Sequence, residues 1–143
     1  MQGELLIELK TLKDMQYAKK EALQQIGYVR ILAMDIVLDE ENKWEFEYDE
    51  NVKHMKKRIR EVGFEASLAN DYFPPYISEV LNKYSDKLYT LADKIYFAKS
   101  VEEYTGYITK ALRVLKRLIR LCNRILQKYN THPCETGCRW DRY

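Results

Sequence analysis

The sequence predicts an all-α fold: a single-domain antiparallel four-helix up-down bundle with a bent first helix and a short C-terminal tail. Three observations carry this. Apolar residues recur at helical spacing in four successive segments. The breaks between those segments are short. Five Gly and three Pro in 143 residues are too few for a turn-rich β-sandwich. A chain of this length buries roughly 68–70% of its unfolded surface, so its core needs no metal or disulfide staple. The division is residues 1–130 as helical bundle and 131–143 as a Cys-containing polar tail.

The first stripe runs from Glu4 to Leu38 through Leu5, Leu9, Leu12, Ala22, Ile26, Val29, Leu32 and Ile36. Gly27 lies inside it and costs about 1 kcal/mol relative to Ala in a helix interior, which predicts a kink or break there. A straight helix of that length would be about 52 Å long, another reason to expect a bend.

Residues 39–50 read two ways. Trp44 to Asp49 alternates apolar and acidic, as a half-buried strand does, and would pair with Val29–Leu38 in a hairpin over 29–49. Trp44, Tyr48, Val52, Met55, Ile59 and Val62 also form one helical stripe. An isolated two-stranded hairpin is marginal in water, so the helix is preferred. The turn then falls at Asp39–Asn42, and the second helix ends at Gly63 or a few residues later.

Tyr72-Phe73-Pro74-Pro75 is a break that holds the backbone extended, and Pro75 can open a helix. Ile77, Val80, Leu81, Tyr84, Leu88, Leu91 and Ile95 form the most regular stripe, ending near Lys99. Ser100 with Glu103 three positions on is a capping-box pattern. The fourth helix runs from Val101 to about Tyr129 with Ile108, Ala111, Leu112, Leu115, Leu118, Ile119, Cys122, Ile125 and Leu126 inward.

Hydrophobic residues at 46% and charged residues at 32% exclude a disordered chain. The longest clean apolar runs are three or four residues, so no membrane span is expected, and no leader pattern opens the chain. Three cysteines are an odd count, which favours a reducing, cytoplasmic location. Abundant Lys and Glu with sparse Gln is a thermophile-like composition.

The net charge of +2 hides an asymmetry. Residues 1–70 carry 11 basic and 14 acidic side chains, residues 71–143 carry 13 and 8. The sharpest feature is on the fourth helix. Lys110, Arg113, Lys116, Arg117, Arg120, Arg124 and Lys128 occupy a segment with no acid between Thr105 and Cys134. At 100° per residue they fill an arc of about 120° opposite the apolar arc. Seven cations on one face repel one another unless something negative compensates. The plainer reading is a solvated face neutralised by acids on a neighbouring helix. The functional reading is a strip for an acidic protein surface or for nucleic-acid phosphates. A sequence pI of 8.3 and the lack of a recognition-helix motif hold back the nucleic-acid version.

A second cluster, Lys53, Lys56, Lys57, Arg58 and Arg60, follows an acidic run from Asp35 to Glu50. Acids early and bases late suit the helix dipole without any function. The acidic run fails as a calcium loop, because Lys43 and Trp44 stand where an oxygen ligand and the turn glycine belong. His132, Cys134 and Cys138 are the only metal-like cluster, with Cys122 or His54 as a fourth ligand. The lone C-x3-C spacing is weak for zinc, so no metal or other cofactor is expected. A Cys134–Cys138 disulfide and unpartnered thiols are the other readings, and Cys122 reads as a small core residue.

No glycine-rich phosphate loop, HExxH or G-x-S-x-G occurs, and no motif sets a histidine beside a nucleophile. An enzyme is not expected. Tyr72, Phe73 and Tyr76 flank the prolines, and Tyr104 and Tyr107 open the fourth helix. They either cap the bundle end or form a rim that contacts another protein. Trp140 and Tyr143 end the tail with side chains common at binding hot spots. The expected function is a non-enzymatic binding or regulatory protein whose basic strip docks on an acidic protein, as a regulator or inhibitor of a larger complex. Sequence-nonspecific DNA or RNA binding through the same strip is the alternative. A self-assembling coat or scaffold subunit, hence a homo-oligomer, is the second.

Overall fold

The computed structural model describes residues 2–41 and 48–129. Four helices follow one another: α1 Gln2–Glu41, α2 Tyr48–Ala69, α3 Pro75–Tyr96 and α4 Val101–Tyr129. A single 3-10 turn, Asn70–Tyr72, links α2 to α3, and no strand occurs among the described residues. The protein is an all-α helical bundle.

The hairpin reading fails at Val29–Leu38, which is helical. A strand would put Val29 and Ile31 on the same face; Val29 is 0% exposed and Ile31 51%. The buried set Val29, Ala33, Ile36 and Val37 follows three-and-four spacing instead. Trp44–Glu47 lie outside the described residues, while Tyr48 and Asp49 open α2.

Two glycines leave their helices continuous. α1 passes through Gly27 without a break, flanked by the fully buried Ile26 and Val29. Core burial of such residues, about 1.5–3 kcal/mol each, outweighs the helix penalty of one glycine. Gly63 does not end α2, which continues to Ala69. It lies buried where α3 approaches: an added Cβ would sit 3.3 Å from the Ser85 carbonyl oxygen and 3.4 Å from Leu88 Cβ. α1 also outruns its expected end. Asp39 is still helical rather than in a turn, and its carboxylate accepts a 2.7 Å hydrogen bond from Arg58 of α2.

The proline break forms as expected. Phe73 and Pro74 are extended, with ψ of 155° and 162°, and Pro75 opens α3. α3 ends at Tyr96, three residues short of the predicted Lys99. Ser100 caps α4: its Oγ accepts from the Glu103 N–H at 3.1 Å. The Glu103 carboxylate reaches back one residue further than a standard capping box, accepting from the Lys99 N–H at 3.1 Å.

The helices pack as a ring, each against its two neighbours, with α2–α3 and α1–α4 the most intimate pairs. Contacts run in opposite senses along α1 and α2 (Gln25 with Glu65, Asp39 with Arg58). They do so again along α2 and α3 (Gly63 with Ser85, Arg60 with Asp93) and along α3 and α4 (Tyr76 with Lys128, Lys94 with Tyr107). One apolar cluster joins all four helices, with Ile26, Ile59, Leu88 and Leu118 among its fully buried members. No described helix is long and apolar enough to cross a membrane.

Candidate basic interface

α4 turns Ala111, Leu115, Leu118, Ile119, Cys122 and Ile125 into the core. The same rotation fixes where its cations go. Lys110, Arg113, Arg117, Arg120, Arg124 and Lys128 are exposed on the opposite side, and Lys116 is half-buried. From Lys110 to Lys128 the strip is about 27 Å long.

Neutralisation by neighbouring acids does not reach three of its arginines among the described residues. Arg113, Arg117 and Arg124 make no ion pair among them. Two acids pair with α2: Asp39 with Arg58 at 2.7 Å and Asp93 with Arg60 at 4.0 Å. Lys56 and Arg60 also stack over the rings of Tyr96 and Tyr89, at 3.8 and 5.6 Å from the centroids. Within the second basic cluster, Lys56 and Arg60 are thus held against α3 and Arg58 against α1.

Tyrosines hold the two ends of the α4 strip. Lys128 Nζ donates to the Tyr76 hydroxyl at 3.2 Å and lies 5.5 Å from its ring centroid. At the far end, Lys110 Nζ and Lys94 Nζ of α3 each lie 5.8 Å from the Tyr107 centroid. The two tyrosine groups thus sit at opposite ends of the α3–α4 pair and do not form one cap. Tyr72 and Tyr76 are exposed, Phe73 packs partly on the core, and Tyr104 is buried.

Sequence reasoning missed the contribution of α3. Lys87 and Lys94 carry the positive surface across a groove of about 380 Å³ between α3 and α4, lined also by Asp86, Thr90, Leu91, Lys110 and Val114. The seven-residue spacing of Lys87 and Lys94, off the apolar stripe, was the available signal. A second groove of about 550 Å³ lies between α2 and α3, but there Glu61 stands among Lys57, Arg60, Phe64 and Tyr89.

The tail side chains His132, Cys134, Cys138, Trp140 and Tyr143 lie outside the described residues. Among the described residues no three His, Cys, Asp or Glu side chains converge as metal ligands. Cys122 is a fully buried free thiol, and His54 is exposed on α2. The site so described is an electrostatic and apolar surface formed by α3 and α4. No family model, curated protein or solved structure matches this chain.

Proposed function

We propose that the protein is a non-enzymatic binding or regulatory module that docks the basic face of α4, widened by Lys87 and Lys94 of α3, onto an acidic protein surface. One observation carries the reading. Arg113, Arg117 and Arg124 make no ion pair among the described residues, although the chain has acids that pair with α2. Clustered cations of one sign raise the local potential and favour an anionic partner. The apolar lining of the adjacent groove favours a protein over nucleic acid, because phosphates gain nothing from Leu91 and Val114. Tyr107, already engaged by two ammonium groups, is poorly placed to stack on a base.

The test compares the wild-type chain with an Arg113→Glu, Arg117→Glu, Arg124→Glu variant. Proteins captured from the native host by the wild type should be lost with the variant. A captured partner should also lose affinity when its own acidic patch is neutralised. Labelled DNA and RNA across a salt series form the control: binding that falls steeply with salt and outcompetes protein partners would overturn the reading in favour of nucleic acid.

A further inference from the structure

The α3–α4 groove differs in chemistry from the arginine strip beside it. Its floor is Leu91 and Val114, each 8% exposed, which seal the core at that point. Around the floor stand Lys87, Lys94 and Lys110, drawn from two helices. Lys94 and Lys110 share the Tyr107 ring, each 5.8 Å from its centroid, so their ammonium groups are no further apart than twice that distance. Both ammonium groups lie within cation–π distance of the ring. Asp86 is the one acid among the described lining residues, and Thr90 adds a hydroxyl.

An apolar floor ringed by three ammonium groups fits neither a purely anionic nor a purely apolar ligand. We infer that this groove takes one bulky aliphatic or aromatic side chain of a partner segment that carries Asp or Glu on both sides of it. The inference rests on the basic-face reading above and adds the chemistry of the segment. The apolar side chain covers Leu91 and Val114, and its flanking carboxylates meet Lys87, Lys94 and Lys110. A groove of about 380 Å³ is within the size range of sites that bury a side chain or a small ligand.

The experiment uses the full chain and two fluorescein-labelled peptides. One is a run of glutamates with a single central Leu, the other the same run with Ala at that position. Charge is identical, so anisotropy titrations isolate the apolar contact. The Leu peptide should bind about tenfold or more tightly than its twin, the change expected for burying one such side chain. The difference should vanish in Thr90→Trp, a substitution at an exposed position that fills the groove. Methyl signals of Leu91 and Val114 in the wild type should shift with the Leu peptide only, a readout that does not depend on the variant folding. Equal affinities with unmoved Leu91 and Val114 methyls would overturn the groove inference and leave the basic face standing. Failure of both peptides to bind at low salt would overturn both.

Discussion

Ser85 of α3 donates its buried hydroxyl to the backbone carbonyl oxygen of Gly63 in α2, at 2.7 Å. This bond marks a close approach of the two helices, because the missing side chain of Gly63 is what lets the α3 backbone come near. Gly63→Ala would gain about 1 kcal/mol of helix propensity. It would also press a methyl against the Ser85 carbonyl and the Leu88 Cβ, two atoms that cannot rotate away. Overpacking of this kind costs about 1–3 kcal/mol, so a net loss of about 1 kcal/mol is expected, and a larger one for Gly63→Leu. Urea denaturation checks it. A stabilised Gly63→Ala would mean that the helices move apart without loss. Ser85→Ala should cost about 1 kcal/mol, the ordinary net value of one hydrogen bond.

That pair also shows where the sequence stops being informative. The stripes of α3 and α4 were legible because burial imposes a 3.6-residue period on each helix separately: Ile77, Leu81, Leu88 and Ile95 are buried as their spacing predicts. A glycine that ends a helix and a glycine that admits a neighbouring helix look alike in one dimension, so an end at Gly63 or a few residues later is all the sequence offers, and α2 runs on to Ala69. The end of α1 was missed for a related reason. Asp39 is an unfavourable residue near a helix C-terminus, and its partner Arg58 lies 19 positions away on α2. The basic strip of α4 was legible from a single helix. Its extension to Lys87 and Lys94 depends on which helix packs beside α4, which no local pattern states.

The first turn of α4 depends on Ser100. Its Oγ accepts the Glu103 N–H, one of the donors that a helix leaves without an internal partner. Ser100→Ala should lower stability by about 1 kcal/mol, and Ser100→Asp should retain it, since a carboxylate there caps as well and suits the dipole. Thermal denaturation of the two variants decides the matter. Equal losses in both would show that the hydroxyl does not cap the helix.

Burial pushes the Cys122 thiol up from its ordinary value of 9.0 to about 12, although the nearby Arg30 cation works in the opposite direction. The folded chain therefore holds the thiol proton more tightly than the unfolded chain does. The resulting stability is intact below pH 9.0 and is lost as pH rises from there toward about 12. Cys122→Ala should flatten this alkaline decline relative to the wild type, at the expense of a small cavity. The same burial predicts that a thiol reagent at pH 8 labels Cys122 only when urea unfolds the chain. Rapid labelling of Cys122 in the native state would contradict the placement.

Arg117 is the sharpest test of what the α4 strip is for. It lies four residues after Arg113 and three before Arg120, so it faces two cations across single turns. Like-charge pairs at these spacings destabilise a helix by about 0.2–0.5 kcal/mol each, and an opposite charge reverses the sign. Arg117→Glu should therefore leave the fold more stable at low salt, by about 0.8–2 kcal/mol. The gain should shrink as salt screens the exposed charges. Wild-type stability should in turn rise with moderate salt. If Arg117→Glu instead cost more than about 1 kcal/mol, Arg117 would have a partner within the chain, and the strip would be a structural face rather than one kept positive for docking. A variant that is stable and well folded yet loses its partner would separate the two roles, because the charge that binds would then be the charge the fold does not need.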